Sequence, residues 1–172
     1  LDTIGGWIAH LFEYVTGALK EVTFEVYALE DIKAADGESE DHYKKDELVG
    51  MITTDETGVA RLSDLPLGKY YIKEKETAEG FVLDGKIREV DLTYRDQHTA
   101  EVTYSTDWQN LRQRAEVSVI KKEKDTDRVL EGAVFALCAK EDILNKDGEV
   151  ILKADTVIEE KATDKEGKLL FA

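Results

Sequence analysis

Glu74 closes the run Gly68-Lys69-Tyr70-Tyr71-Ile72-Lys73-Glu74, and the period-two alternation of a strand puts it on the same face as Tyr70 and Ile72. A carboxylate at a core-facing position is costly unless something pairs with it. Two more polar residues fall on otherwise apolar faces. Asn110 follows Val102, Tyr104 and Trp108 in the even register, and Lys121 follows Val117 and Val119 in the odd register. Lysine, glutamate and asparagine on inner faces form a chemical set. A buried neutral amine can attack a carboxamide carbon while a buried acid moves the protons, which leaves an amide cross-link between side chains and releases ammonia. Taken alone, such a glutamate is more commonly satisfied by backbone donors or placed at a strand end.

The context of Glu74 is more specific than the residue. The run Gly58-Val59-Ala60-Arg61-Leu62-Ser63-Asp64-Leu65-Pro66-Leu67-Gly68, continuing to Glu74 and then Glu79-Gly80-Phe81-Val82-Leu83-Asp84, closely resembles the collagen-adhesin B-type (SpaA-like, prealbumin-like) domains of Gram-positive surface proteins and pilins. The resemblance implies that Glu74 is the general acid/base of an intramolecular isopeptide bond. It continues through Trp108-Gln109-Asn110-Leu111-Arg112-Gln113, which is similar to the family's last strand and implies Asn110 as acceptor. Val117-Ser118-Val119-Ile120-Lys121 with Leu130-Glu131-Gly132-Ala133-Val134-Phe135 resembles the first strand of a following domain and implies Lys121 as its donor. Ala78 stands where the family commonly has proline, a departure that touches only the turn. The implied setting is extracellular, at the cell wall or cell surface, with neighbouring surface-protein or pilus domains as partners and no cofactor.

The elements that must position these residues come in two copies. Phe24-Glu25-Val26-Tyr27-Ala28-Leu29-Glu30-Asp31-Ile32 matches Phe135-Ala136-Leu137-Cys138-Ala139-Lys140-Glu141-Asp142-Ile143 at an offset of 111, and Thr54-Asp55-Glu56-Thr57-Gly58 returns as Thr163-Asp164-Lys165-Glu166-Gly167 at 109. Each copy is a run of short alternating segments separated by Asp-Gly and Gly turn signals, the pattern of antiparallel β-sandwiches. The expected fold is all-β: tandem immunoglobulin-like (prealbumin-like) sandwiches, the first over 21–114 and a second, truncated, over 115–172. Ala172 aligns with Ser63, so the second copy's counterparts of Leu65 to Asn110 are not in this sequence. Asn110 and Lys121 are not expected to join each other, because the extended stretch between them spans roughly 36 Å.

Residues 1–20 fit the pattern least. The offset puts His10 where Lys121 stands in the second copy, and a one-residue shift gives Ala9 or Leu11. Trp7, Ile8, Leu11, Phe12, Val15 and Leu19 fall at helical spacing, whereas Gly5, Gly6 and Gly17 each weaken a helix by about 1 kcal/mol. The segment is expected as a helix packed on the first sandwich or as a divergent first strand, with His10 an ordinary half-buried histidine.

Composition narrows the function classes. The chain has 172 residues, 42% of them hydrophobic, enough for one domain or two small ones. Its net charge of −15 argues against nucleic acid and anionic membrane surfaces, and no stretch is long and apolar enough to span a bilayer. The single cysteine, Cys138, rules out an intrachain disulfide and reads as incidental. The acidic run Glu38-Ser39-Glu40-Asp41 has no EF-hand spacing, and with three histidines, no metal-spaced cluster and no nucleophile elbow a hydrolase lacks support. No metal site is expected. The function read from this is a non-enzymatic structural stalk, pilin or adhesin module; the alternative is a binding module that engages a host protein, extracellular matrix or glycan.

Overall fold

The structure, a computed structural model, describes residues 2–4, 7–9, 16–145 and 147–172. Among these every helix or strand element is a strand: β1 (Asp2–Ile4), β2 (Trp7–Ala9), β3 (Thr23–Ala28), β4 (Leu48–Thr53), β5 (Lys69–Glu76), β6 (Phe81–Val82), β7 (Ile87–Asp91), β8 (Leu111–Arg112), β9 (Val117–Ile120), β10 (Val134–Cys138), β11 (Ile143–Leu144), β12 (Val150–Leu152), β13 (Val157–Ala162) and β14 (Lys168–Phe171). The fold is all-β, and two compact units divide the chain, one of them Thr16–Gln113 and the other Arg114–Ala172 together with the N-terminal hairpin.

In Thr16–Gln113 an antiparallel sheet runs in the order β4-β3-β5-β7, beside a two-stranded ribbon of β6 and β8. The sequence Thr23-Phe24-Glu25-Val26-Tyr27-Ala28 alternates, and its even positions Phe24, Val26 and Ala28 are buried opposite Glu74, Ile72 and Tyr70 of β5. Val26, Ala28, Ile32, Tyr70 and Val90 form the core, with Ile52, Leu62 and Leu92 packed around it. Tyr70 is fully buried, and its hydroxyl donates to the Pro66 carbonyl at 2.5 Å, tying the loop before β5 to the strand. Burial pushes the Tyr70 phenol up to about 12.

The opposite face of β3 carries a second buried glutamate. Glu25 accepts from the Tyr27 hydroxyl at 2.8 Å and pairs with Lys73 at 3.1 Å and Lys75 at 3.3 Å. The Tyr27 ring stacks on Tyr71 with centroids 5.2 Å apart. The Tyr27 hydroxyl first, then the two lysines, hold the Glu25 carboxyl below its ordinary value.

In the other unit, β10 pairs with β13, β9 with β14 and β11 with β12, all antiparallel. The repeat recurs as geometry. The Thr54 hydroxyl accepts from the Val22 amide and donates to the Leu19 carbonyl at 2.9 and 2.7 Å; the Thr163 hydroxyl does the same with Ala133 and Leu130 at 3.0 and 2.6 Å. The turns that follow are also alike, with Gly58 and Gly167 at φ of +74° and +70°. A Cβ on Gly58 would stand 2.8 Å from that of Ala18, and one on Gly167 would stand 2.7 Å from the Lys121 carbonyl oxygen.

Two expectations change. Residues 2–4 and 7–9 are not helical: they form antiparallel strands that join β13 through Ala9 opposite Glu159, in the sheet of the second unit. Thr3, Ile4, Trp7 and Ile8 are β-branched or aromatic, and pairing with a distant strand overrides a spacing that local periodicity alone assigned to a helix. His10, Leu11, Phe12 and Val15 lie outside the described residues. The second change is in 101–110, where no strand forms: β8 is only Leu111–Arg112, and Tyr104 is 44% exposed. That segment lacks a ladder partner, so its alternation does not become a sheet face.

Candidate functional site

Glu74 sits one position before the end of the inner-face run of β5 that begins with Tyr70 and Ile72, and only 5% of it is exposed. Its cross-strand neighbour is Phe24. No cation reaches the carboxyl among the described residues. Instead, the Asn110 carboxamide nitrogen donates to Oε1 at 2.7 Å and Oε2 at 2.8 Å, and the Asp84 amide donates to Oε2 at 2.5 Å. The ribbon of β6 and β8 makes this contact possible. Phe81 pairs with Arg112 and Val82 with Leu111, which lays Asn110 beside Val82 at the start of β8. The Val82 carbonyl accepts from the same Asn110 nitrogen at 3.1 Å. Acceptors therefore surround Nδ2, and this fixes the amide with its nitrogen toward Glu74.

Trp108 lies beside the pair. Its ring meets Phe24 edge-on with centroids 5.0 Å apart, and the Arg88 guanidinium stands 4.2 Å over its centroid. The sequence points to Glu74 and Asn110, and the structure brings the two into contact. Among the described residues it brings no lysine to them: Lys73 and Lys75 are tied to Glu25 on the other face. Lys121 belongs to the other unit, where it follows β9, is exposed, and uses its backbone to bond Gly167 and Leu130 at 2.7 and 3.0 Å.

Sequence reasoning missed three participants. The backbone groups of Asp84 and Val82 carry no residue-type signal. Arg88 alternates with Val90 in Ile87-Arg88-Glu89-Val90-Asp91, so its inner-face position was readable. In the second unit Lys161 stands opposite Phe135 as Ile52 stands opposite Phe24, with its amine on Glu159 at 2.8 Å and on the Leu170 carbonyl at 2.7 Å. The repeat offset of 109 between Ile52 and Lys161 would have found it.

The family description "SpaA: Prealbumin-like fold domain" matches residues 13–108. This chain belongs to that family. Solved structures also align with this chain. The Bacillus anthracis TIE protein is similar at 24% identity and a TM-score of 0.56, over 90% of this chain and 23% of that one. This chain thus spans about a quarter of that protein's length. The shaft pilin SpaA from Lactobacillus rhamnosus GG aligns at 18% identity with a TM-score of 0.40, over 88% of this chain and 71% of that one. A Streptococcal ancillary pilin aligns at 20% identity with a TM-score of 0.34, over 89% and 45%. No curated protein matches the SpaA-type chain in sequence.

Proposed function

We propose that this chain is a structural module of an extracellular Gram-positive surface or pilus protein, with residues 21–114 as one SpaA-type sandwich and 115–172 as part of a second. Its task is mechanical spacing and display, without turnover, next to other surface-protein or pilus domains. Glu74 and Asn110 are the acid and the acceptor of a Lys–Asn isopeptide site. The observation that carries this reading is the two-point contact of the Asn110 nitrogen on a buried carboxyl that no cation among the described residues neutralises.

In the step itself, the neutral Nζ of a lysine attacks Cγ of Asn110. One proton leaves Nζ and one reaches Nδ2, with Glu74 relaying it, since its oxygens already touch that nitrogen. The Cγ–Nδ2 bond breaks, ammonia departs, and the Nζ–Cγ amide remains. The reaction occurs once per molecule. In the second module Lys121 holds the donor position. In the first, the repeat offset assigns the donor position to His10, so the acid and acceptor wait for an amine that the described residues do not supply.

Proteolysis and peptide mass mapping of a His10→Lys chain test this. A branched peptide joining residue 10 to Asn110, lost in the His10→Lys, Glu74→Ala double variant, is expected. Only linear peptides from a folded His10→Lys chain, and from its Ala9→Lys and Leu11→Lys register neighbours, overturn it. A second reading, an adhesin module for a host protein or glycan, draws on Tyr94 and Tyr104, which are 63% and 44% exposed in a stretch outside the strands.

A further inference from the structure

Arg88 is an arginine on the inner face of a sheet. In β7 it stands opposite Ile72, two positions from Val90, which faces Tyr70. Glu74 follows Ile72 by two on the same face, so Arg88 and Glu74 are diagonal neighbours across β5 and β7. An ion pair between them is the arrangement that simple electrostatics favours. It is not made. The guanidinium turns instead to the unpaired segment before Asn110: Nη1 donates to the Thr106 hydroxyl at 2.5 Å and to the Asp107 carbonyl, and the guanidinium plane covers the Trp108 ring at 4.2 Å.

That choice matters because residues 101–110 have no strand ladder to hold them. Three consecutive residues, 106, 107 and 108, are gripped by one side chain whose fork is rigid and always charged. Asn110 follows two residues later, just ahead of the short β8. We propose that Arg88 is a positioning residue for the Glu74–Asn110 pair: it fixes the 106–108 segment to the sheet and so sets the Asn110 carboxamide on Glu74. By holding its charge away from Glu74, it also leaves both carboxyl oxygens open to the Asn110 nitrogen, with the Asp84 amide sharing Oε2. This inference rests on the isopeptide reading for its purpose, but not for its geometry.

The test reads the Asn110 side-chain amide directly and needs no cross-link. In the wild-type chain the Asn110 Nδ2 protons, seen by NMR, are expected to exchange slowly and to shift when Glu74 is replaced by Gln. In Arg88→Met they are expected to exchange about tenfold faster, the loss associated with a charged hydrogen bond, while the backbone amides of Val26 and Tyr70 stay protected. Arg88→Lys, which keeps the charge but lacks the fork, is not expected to restore slow exchange. Thr106→Val, a substitution at an exposed site, provides the same reading if Arg88→Met unfolds the sheet; it should speed exchange in the same direction. Unchanged Asn110 exchange in Arg88→Met, or in Thr106→Val where Arg88→Met does not fold, overturns the positioning role. A failed cross-link in His10→Lys, Ala9→Lys and Leu11→Lys alike, with altered Asn110 exchange in Arg88→Met, overturns only the isopeptide reading.

Discussion

Two buried glutamates on opposite faces of one sheet show how neighbours decide a side chain's chemistry. Glu25 is held by a tyrosine hydroxyl and two lysines, Glu74 by an amide nitrogen and a backbone N–H. Glu25, with its folded value depressed, contributes stability that is present above the ordinary glutamate range and is lost as pH falls through the lower folded value. Acid titration of the melting temperature should therefore show a decline beginning near pH 4 that is shallower in Glu25→Gln. Tyr70 has the opposite sign. Its folded value is raised to about 12, so its contribution is complete below the ordinary phenol value near 10 and is lost as pH rises toward 12. Absorbance titration should show a tyrosine ionising near pH 12 that is absent in Tyr70→Phe. That substitution also strands the Pro66 carbonyl and should cost about 1–3 kcal/mol in chemical denaturation.

At the scale of elements, the threonine clips Thr54 and Thr163 close the same turn in both copies, each hydroxyl satisfying one amide and one carbonyl. Thr54→Val keeps the shape but strands both partners, and about 1–3 kcal/mol of destabilisation in urea unfolding is expected; Thr163→Val should act alike on the second unit. What the sequence made legible follows the same logic. Glu74's inward position could be read because β5 is long enough for alternation to show, with Tyr70 and Ile72 as reference points. The repeat could be read because turn residues such as Gly58 and Gly167 need a left-handed backbone. The hairpin at 2–9 could not, since three-residue strands are too short to express a period and their pairing to β13 is non-local. Nor could the state of 101–110, where alternation is present but no ladder forms and the Arg88 side chain contacts Thr106, Asp107 and Trp108.

At the scale of the whole molecule, the proposed isopeptide site has Glu74 and Asn110 of one SpaA-type sandwich placed to receive a lysine. A bond closing a loop of about 100 residues should stabilise the first module by about 4 to 5 kcal/mol in the chain-entropy view, read as a higher urea midpoint for the cross-linked chain than for its Glu74→Ala counterpart. Intact mass spectrometry of the folded, denatured-on-injection chain tests that site most directly. A His10→Lys chain is expected one ammonia lighter than its sequence mass, and the His10→Lys, Glu74→Ala chain at full sequence mass. Full mass for His10→Lys, Ala9→Lys and Leu11→Lys alike, with the first sandwich folded in each, would contradict it.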